Sequence, residues 1–184
     1  MKLKVQELGM GIINAENDDV MLVGGMRSGN SQSGATRRRY TVYDKLEWLK
    51  LSKEGMHEDN VEKACNKGII DLFVKDGEEV SFGVKGLVNI EIKKPHRREG
   101  MAKRVLNAIR ETTGQELEIH DIKKHVASVW RKLGVTEFHS SNGRPMQVSK
   151  VPAHMNLNGT MPALESALEV KTSPEYDSDD GMSP

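Results

Sequence analysis

The sequence predicts a mixed α/β domain of the α+β class, with a central, twisted and mostly antiparallel sheet flanked by helices. Two observations support this fold class. Between Ile69 and Ile92, apolar alternating segments are separated by turn residues, which is typical of antiparallel strands. Beyond them, strand-like and helix-like patterns alternate before a closing pair of strands. Such elements bury one face each when helices pack against the sheet.

The N-terminal part of the chain gives the weaker signals. Residues 3–8 alternate apolar and polar side chains and predict a first strand. Residues 24–39 are rich in glycine and serine and end in three arginines, which is typical of a mobile, variable loop. Two short helices are predicted after this loop, over residues 44–51 and 58–66.

The middle of the chain predicts an antiparallel meander of three strands. The apolar run Ile69–Val74 is followed by an Asp-Gly pair at 76–77, which is typical of a tight hairpin turn. A return strand comes next, and Gly86 separates it from a third strand over Leu87–Ile92.

A helix, a strand and a second helix follow the meander. Apolar residues at four-residue spacing predict a helix from Met101 that ends at Gly114. A short strand is predicted at 117–119. An apolar stripe over 122–133 predicts the second helix, with Asp121 as its N-cap.

A closing strand pair and an acidic tail complete the chain. Residues 135–138 and 146–151 predict the last hairpin. Residues 155–184 carry six acidic side chains against one basic side chain, and only a short amphipathic patch at 163–170 interrupts their polar character. We therefore expect one domain over residues 1–154 and a disordered acidic tail over 155–184.

Composition limits the classes of function. The chain of 184 residues has 27 basic and 27 acidic side chains, so its formal net charge does not favour nucleic acid or a membrane as the main partner. The single cysteine, Cys65, excludes an internal disulfide and suits a reducing compartment. No residue cluster has metal-ligand spacing, and no apolar run is long enough to span a bilayer. We expect a soluble, cytoplasmic protein without a metal site.

The most informative stretch runs from Ile90 to Ala108. An apolar strand ends there in a basic turn, and a helix begins inside the turn. The first N–H groups of a helix have no partner within the helix and attract phosphate. The small residues Gly100 and Ala102 keep this backbone open to close approach. The turn therefore predicts a phosphate-binding site.

Two motifs in this region resemble those of the GCN5-related N-acetyltransferases (GNAT). Arg97, Gly100 and Ala102 resemble the family's acetyl-coenzyme A signature, which is Gln or Arg, two residues, Gly, one residue, then Gly or Ala. Downstream, a strand and a helix ending in the segment Trp130–Gly134 resemble the next motif of the family. The resemblance covers roughly Ile69–Val151 and implies a GNAT-like fold.

The resemblance also implies a cofactor and an activity. Acetyl-coenzyme A would be the acyl donor, and an amine of a small molecule or protein would be the acceptor. The backbone from Arg97 to Ala102 would hold the pyrophosphate, and the strand end at 92–94 would pair with the pantetheine arm. The implied cofactor-binding residues are Ile92, Lys93, Lys94, Arg97, Arg98, Glu99, Gly100, Met101 and Ala102.

Acetyl transfer to an amine needs a base for the ammonium group and an acid for the leaving thiolate. The position of the family's common tyrosine is Trp130 here, and an indole N–H is not an acid near neutral pH. The remaining catalytic candidates are Glu91 on the signature strand and His120, with Asp121 beside it, at the end of the next strand. Spacing does not select one of them.

Two other functions stay open. A non-catalytic binding or assembly protein on the same fold would fit Trp130 and would dock a partner through the C-terminal tail. Nucleic-acid binding through the basic segments 37–39 and 93–98 is the weaker alternative. The aromatic content of 4% and the zero net charge disfavour binding by base stacking.

Overall fold

A computed structural model describes residues 13–32, 34–75, 84–140, 142–152 and 155–163. The strands are β1 Ile13–Glu16, β2 Val20–Gln32, β3 Ala35–Asp44, β4 Asn66–Lys75, β5 Val84–Ile92, β6 Leu117–Lys123, β7 Glu137–His139 and β8 Asn156–Met161. The α-helices are α1 Lys45–Lys53, α2 Glu58–Cys65, α3 Met101–Thr113 and α4 Ala127–Lys132. No helix in these ranges is long and apolar enough to cross a bilayer.

The strands form one eight-stranded sheet in the order β1-β2-β3-β4-β5-β6-β8-β7. Every neighbouring pair is antiparallel except β5 and β6, which run parallel. Helix α3 joins these two strands, and a parallel connection needs such a crossover. The predicted class, a mixed α+β fold with a mostly antiparallel sheet flanked by helices, is confirmed.

One face of the sheet is apolar and carries the main core. Alternation along β3 and β4 directs Tyr40, Val42, Ile70 and Leu72 to this face, where they are buried. Helix α3 packs against them with the same period that the sequence shows. Its buried apolar side chains are those of Met101, Val105, Leu106, Ala108 and Ile109.

The opposite face of the sheet is polar and only partly covered. Helices α1 and α2 cover one end of it with a smaller apolar cluster. The buried members of this cluster are Met21, Val23, Tyr43, Trp48, Val61 and Cys65. The rest of the face includes Arg37 and Arg39 of β3 and the fully buried carboxylate of Asp71 on β4. We call this surface the polar face.

The prediction of a mobile loop over residues 24–39 is wrong, because these residues lie in the hairpin formed by β2 and β3. Tertiary contacts override the loop-like composition. Asp71 accepts hydrogen bonds from Arg37 Nη2 at 2.7 Å and from Arg39 Nε at 2.8 Å. Two arginines that look like a solvated charge run therefore hold β3 to β4. The predicted strand at 3–8 lies outside the described residues.

The two strands predicted on either side of Gly86 are a single strand in the described part of the chain. Val84–Ile92 is a single strand, β5, that pairs along β4, so Gly86 does not separate two strands. Gly86 instead lies opposite Phe73 in the ladder. The turn predicted at 76–77 lies outside the described residues.

Helices α1, α2 and α3 confirm the three helices predicted in the first two thirds of the chain, and Gly114 ends α3 in the left-handed conformation with φ 59°. The prediction of Asp121 as an N-cap is wrong. Strand β6 continues through Asp121 to Lys123, and α4 begins only at Ala127 after a 3-10 turn.

The predicted closing hairpin and domain boundary are also wrong. Residues 146–151 are not a strand and contain a 3-10 turn at Val148–Lys150. The partner of β7 is β8, Asn156–Met161, which lies between β6 and β7 in the sheet. Residues assigned to the tail thus belong to the folded domain, which extends at least to Met161. Residues 164–184 lie outside the described part of the chain.

Candidate functional site

Strands β5 and β6 are joined by only two residue pairs, Gly86 with Glu118 and Leu87 with Ile119. Towards their carboxyl ends the strands separate, and a cavity of about 580 Å³ fills the gap. We call this cavity the β5–β6 cleft. Its walls come from β5, β6 and α4, and its far end is lined by Arg97 and Ala102.

Irregularities in both strands explain why they separate. In β5, Asn89 pairs with Asp71 but Leu87 pairs with Leu72, so Val88 is an extra, unpaired residue. Such a β-bulge bends its strand and increases the local twist. In β6, the register with β8 shifts after Ile119, and Asp121 has a φ of 57°. Both strands therefore bend where their pairing ends.

The wall of the cleft is apolar along most of its length. Ile90 and Ile92 contribute from β5. Helix α4 and its flanks contribute Val126, Val129, Trp130 and Leu133. The side chain of Val129 is 52% exposed although it is apolar. Such a surface suits the apolar parts of a ligand.

The backbone of β5 offers hydrogen-bonding groups to this cleft. Lys93 N donates to Lys67 O at 2.9 Å, so Lys93 is paired with β4. In an antiparallel ladder, residues next to a hydrogen-bonded pair turn their N–H and C=O groups the other way. The backbone groups of Ile90 and Ile92 therefore point towards the cleft. Of these, Ile92 O accepts a hydrogen bond from Arg97 Nε at 2.9 Å.

The turn after β5 forms an open loop before α3. Arg98 and Gly100 both have left-handed backbones, with φ of 72° and 74°. Gly100 is the N-cap of α3, and its carbonyl accepts the first helical hydrogen bond from Arg104 N at 3.1 Å. The N–H groups of Met101, Ala102 and Lys103 therefore have no acceptor within the helix. A Cβ at Gly100 would meet no atom within 4 Å, so the loop surface is open.

The structure separates the predicted cofactor-binding residues into three groups. Ile92, Arg97 and Ala102 line the cleft. Met101 is 1% exposed and packs its side chain into the core, which leaves only its backbone N–H for a ligand. The others are exposed around the end of the cleft, and they are Lys93, Lys94, Arg98, Glu99 and Gly100. Within this group Glu99 Oε2 lies 3.3 Å from His96 Nδ1.

All three catalytic candidates line the cleft, but their surroundings differ. Glu91 is exposed and belongs to the polar face, where its charge helps to raise the pKa of Arg39 after the larger effects of Asp71. Asp121 is also exposed, and its backbone N donates to Asn158 Oδ1 at 3.3 Å. His120 is half-buried and has contacts on several sides.

The His120 ring is packed over Gly86 and beside Phe73. A Cβ at Gly86 would lie 2.5 Å from His120 Nε2, so only glycine leaves room for the ring. The rings of Phe73 and His120 are 5.5 Å apart and meet edge to face at 79°. Sequence reasoning missed this role of Gly86, although a glycine inside a strand pattern often marks such a close approach.

The polar face next to the cleft contains a strong ion-pair centre. Burial alone would raise the pKa of Asp71, but hydrogen bonds and charges from Arg39 and Arg37 outweigh it and hold the pKa below its usual value. The same contacts raise the pKa of Arg39. Asp71 is therefore a fixed anion that holds two cations, and it is not a candidate proton carrier.

A comparison with solved structures matches this chain to acetyltransferases. A chimera of the spermidine N-acetyltransferase SpeG from Vibrio cholerae and hSSAT is 13% identical, with a TM-score of 0.38 over 71% of this chain and 68% of the other. Nourseothricin acetyltransferase is 11% identical, with a TM-score of 0.38 over 89% and 95% of the two chains. No protein-family profile matches the sequence, and no curated protein matches it significantly.

Proposed function

We propose that this chain is an N-acetyltransferase that transfers an acetyl group from acetyl-coenzyme A to an amine of a small molecule or protein. One observation carries the proposal: the apolar β5–β6 cleft runs into the open loop that begins α3. A ligand that fills both has a phosphate group joined to a thin, partly apolar arm. Coenzyme A has this shape, and the loop residues resemble a coenzyme A signature.

The phosphate end of the ligand would lie at the loop. The N–H groups of Met101, Ala102 and Lys103 point out of the helix start and favour an anion there. The basic side chains of Arg97 and Arg98 add positive charge, while Glu99 removes some. A diphosphate is the group that this arrangement binds best, because several N–H donors can share its oxygens.

The arm of the ligand would follow β5 into the cleft. Ile90 presents its backbone N–H and C=O there, which suit the amides of a pantetheine arm. Val129 and Trp130 would cover the arm from the side of α4. From Ile92 to the bulge at Val88 the strand spans about 13 Å. The thioester would therefore lie near Val88, where the cleft opens to the polar face.

A second candidate function is a non-catalytic binding protein on the same fold. Trp130 favours it, because the side chain in this part of the wall carries no acidic proton near neutral pH. Such a protein would hold the cofactor, or only its shape, without turnover. Docking of a partner through the C-terminal tail belongs to this second proposal.

Thermal unfolding with and without acetyl-coenzyme A tests the site. At 100 times the dissociation constant the ligand should stabilise the protein by about 2.7 kcal/mol. For a chain of this length that is a rise in Tm of roughly 5–10 °C. No shift at millimolar acetyl-coenzyme A would contradict both the site and the activity.

Two glycine variants locate the binding site. Gly100→Glu places bulk and negative charge in the loop and should abolish the shift. Gly143→Glu is the matched control, because Gly143 also has a left-handed φ of 77° and open space around it, but it lies outside the cleft. The control should keep the shift. Thiol release from acetyl-coenzyme A with amines then separates the enzyme from the non-catalytic protein.

A further inference from the structure

We propose that His120 is the catalytic base that takes a proton from the acceptor ammonium, and that Glu118, Gly86 and Phe73 are positioning residues for its imidazole. This inference rests on the proposed acetyl transfer. It selects one residue among the three candidates that line the cleft. It also assigns a positioning role to three neighbouring residues.

The first support is the fixed position of the ring. His120 lies over Gly86, where an added Cβ would come within 2.5 Å of Nε2 and 2.6 Å of Cδ2, so a larger residue at this position would displace the ring. Phe73 holds the ring from the neighbouring part of the polar face through an edge-to-face contact. The side chain is 29% exposed, so it is held by packing and still reaches the cleft.

The second support is the carboxylate of Glu118 beside the imidazole. Glu118 Oε2 lies 3.5 Å from His120 Nε2. A carboxylate close to a ring nitrogen favours a hydrogen on that nitrogen, so we expect the neutral ring to carry its hydrogen on Nε2 and to leave Nδ1 as the acceptor. The same carboxylate stabilises the imidazolium once Nδ1 has taken a proton.

The side chains of the other two candidates have no such described contacts to hold them in place. Glu91 is exposed on β5, and its charge adds to the larger effect of Asp71 in raising the pKa of Arg39. Asp121 is exposed at the bend of β6, and only its backbone N–H has a described hydrogen bond, to Asn158. A base that acts in one geometry needs a fixed side chain.

Charged groups reach the surroundings of His120 from several elements. Strand β6 contributes Glu118, Asp121 and Lys123, β5 contributes Glu91, and β4 contributes Asp71 with its partners Arg37 and Arg39. The turn before α4 contributes His125, and Arg97 closes the far end of the cleft. On β8, Thr160 and Asn156 pair with Glu118 and Lys123 of β6, and Asn158 accepts the hydrogen bond from Asp121 N; none of these three side chains titrates.

The reaction can then be written with balanced protons. One proton of the acceptor R–NH3⁺ moves to Nδ1 of His120 and later to solvent. The freed electron pair forms a C–N bond to the thioester carbonyl carbon, and the C–S bond breaks with its pair on sulfur. A second proton leaves the nitrogen and ends on the thiolate. The products are the acetamide and free coenzyme A.

The chain contains a matched control for this pair. His139 Nε2 lies 3.3 Å from Glu137 Oε2 on β7, with the same two-residue spacing as Glu118 and His120. The histidine and glutamate side chains are 26% and 68% exposed in the β7 pair, and 29% and 66% exposed in the β6 pair. The β7 pair lies outside the β5–β6 cleft. Its removal should leave the reaction unchanged.

The kinetic test measures thiol release from acetyl-coenzyme A with two probe amines, n-butylamine and hydroxylamine. n-Butylamine is protonated near neutral pH and needs a base, whereas hydroxylamine is already neutral. His120→Gln should lower the rate with n-butylamine by at least about 100-fold. It should change the rate with hydroxylamine little, and His139→Gln should change neither rate.

The pH profile gives a readout that a purely structural role would not move. In His120→Gln only the free amine can react, so kcat/KM with n-butylamine should rise with pH in step with the free-amine fraction. The wild type and His139→Gln should depend on pH less steeply, because the base supplies free amine from the bound ammonium. Equal losses for both histidine variants, or an equal loss with both amines, would overturn the assignment.

An NMR measurement of the histidine ring nitrogens tests the tautomer and the surroundings of His120 without turnover. With the cofactor bound, His120 should be the Nε2–H tautomer, and Glu118→Gln or Gly86→Ala should change its tautomer balance or ring signals. An Nδ1–H tautomer in the wild type would refute the proposal. If acetyl-coenzyme A binds but no thiol appears with either amine, the proposed acetyl transfer fails, while the NMR result still decides the geometry of His120.

Discussion

Asp71 and Leu72 are successive residues of β4, both completely buried, and they lie on opposite faces of the sheet. Leu72 packs into the apolar core beneath α3. Asp71 is buried beneath the side chains of Arg37 and Arg39 on the polar face. One strand therefore contributes to two buried regions, one formed by apolar packing and the other by an ion pair.

The two faces of the sheet differ in how far they are covered. Helix α3 packs on the apolar face, where its buried side chains and those of most strands form a single cluster. The polar face is covered only at one end, by α1 and α2, and is open beside the β5–β6 cleft. Polar side chains near the cleft can contact a ligand, whereas most of the apolar face is buried in the core. Three measurements can test this division, two of them on stability and one on its pH dependence.

Leu72→Ala tests the apolar face and should have the largest effect. Removing a fully buried leucine side chain leaves a cavity and lowers the free energy of unfolding by about 2–5 kcal/mol. Urea unfolding followed by circular dichroism measures the loss. Val129→Ala is the control, because Val129 is half exposed and its truncation should cost less than about 0.5 kcal/mol. A loss below 1 kcal/mol for Leu72→Ala would show that Leu72 does not pack in the core as described.

Asp71→Asn tests the ion-pair centre of the polar face. The substitution keeps the shape of the side chain but leaves two arginines without their anion. Breaking a fully buried pair costs about 3–5 kcal/mol, and we expect about 2 kcal/mol here because both arginines stay partly exposed. Asp59→Asn, at an exposed site on α2, is the matched control and should be neutral. Equal stability of Asp71→Asn and the wild type would show that the ion pair does not hold β3 to β4.

The pH dependence of these losses distinguishes the two faces further. The pKa of Asp71 is lower in the folded protein than in the unfolded chain, where it is about 3.9. The stabilisation by its charge is therefore fully present above that value and is lost as the pH falls through the folded pKa. The difference between wild type and Asp71→Asn should be constant above about pH 5 and shrink below pH 4. The Leu72→Ala difference should show no such change, and a parallel decline of both would argue against a charge effect at Asp71.

Sequence reasoning succeeded where a signal was local. Helix α3 was predicted with its end at Gly114, because its apolar period and its left-handed cap lie within one short segment. The open loop between β5 and α3 was found for the same reason. It failed for the β2–β3 hairpin, whose arginines donate hydrogen bonds to Asp71, more than thirty positions away in the chain.

The candidate site shows the same limit. Glu91, His120 and Asp121 were all named from the sequence, and all three line the cleft. No spacing distinguished them, because the frame around His120 comes from Phe73 on β4 and Gly86 on β5. Contacts between strands that are distant in the chain leave no periodic pattern.

The sequence by itself determined the α+β class, the helix α3 and the basic turn that precedes it, since propensity, period and capping act over a few residues. The tertiary structure alone decided that β8 lies between β6 and β7, and that β5 and β6 separate after two residue pairs. It also decided which face each polar side chain occupies. Strand order and register depend on packing across the whole sheet, and a one-residue bulge such as that at Val88 changes the face of every residue beyond it.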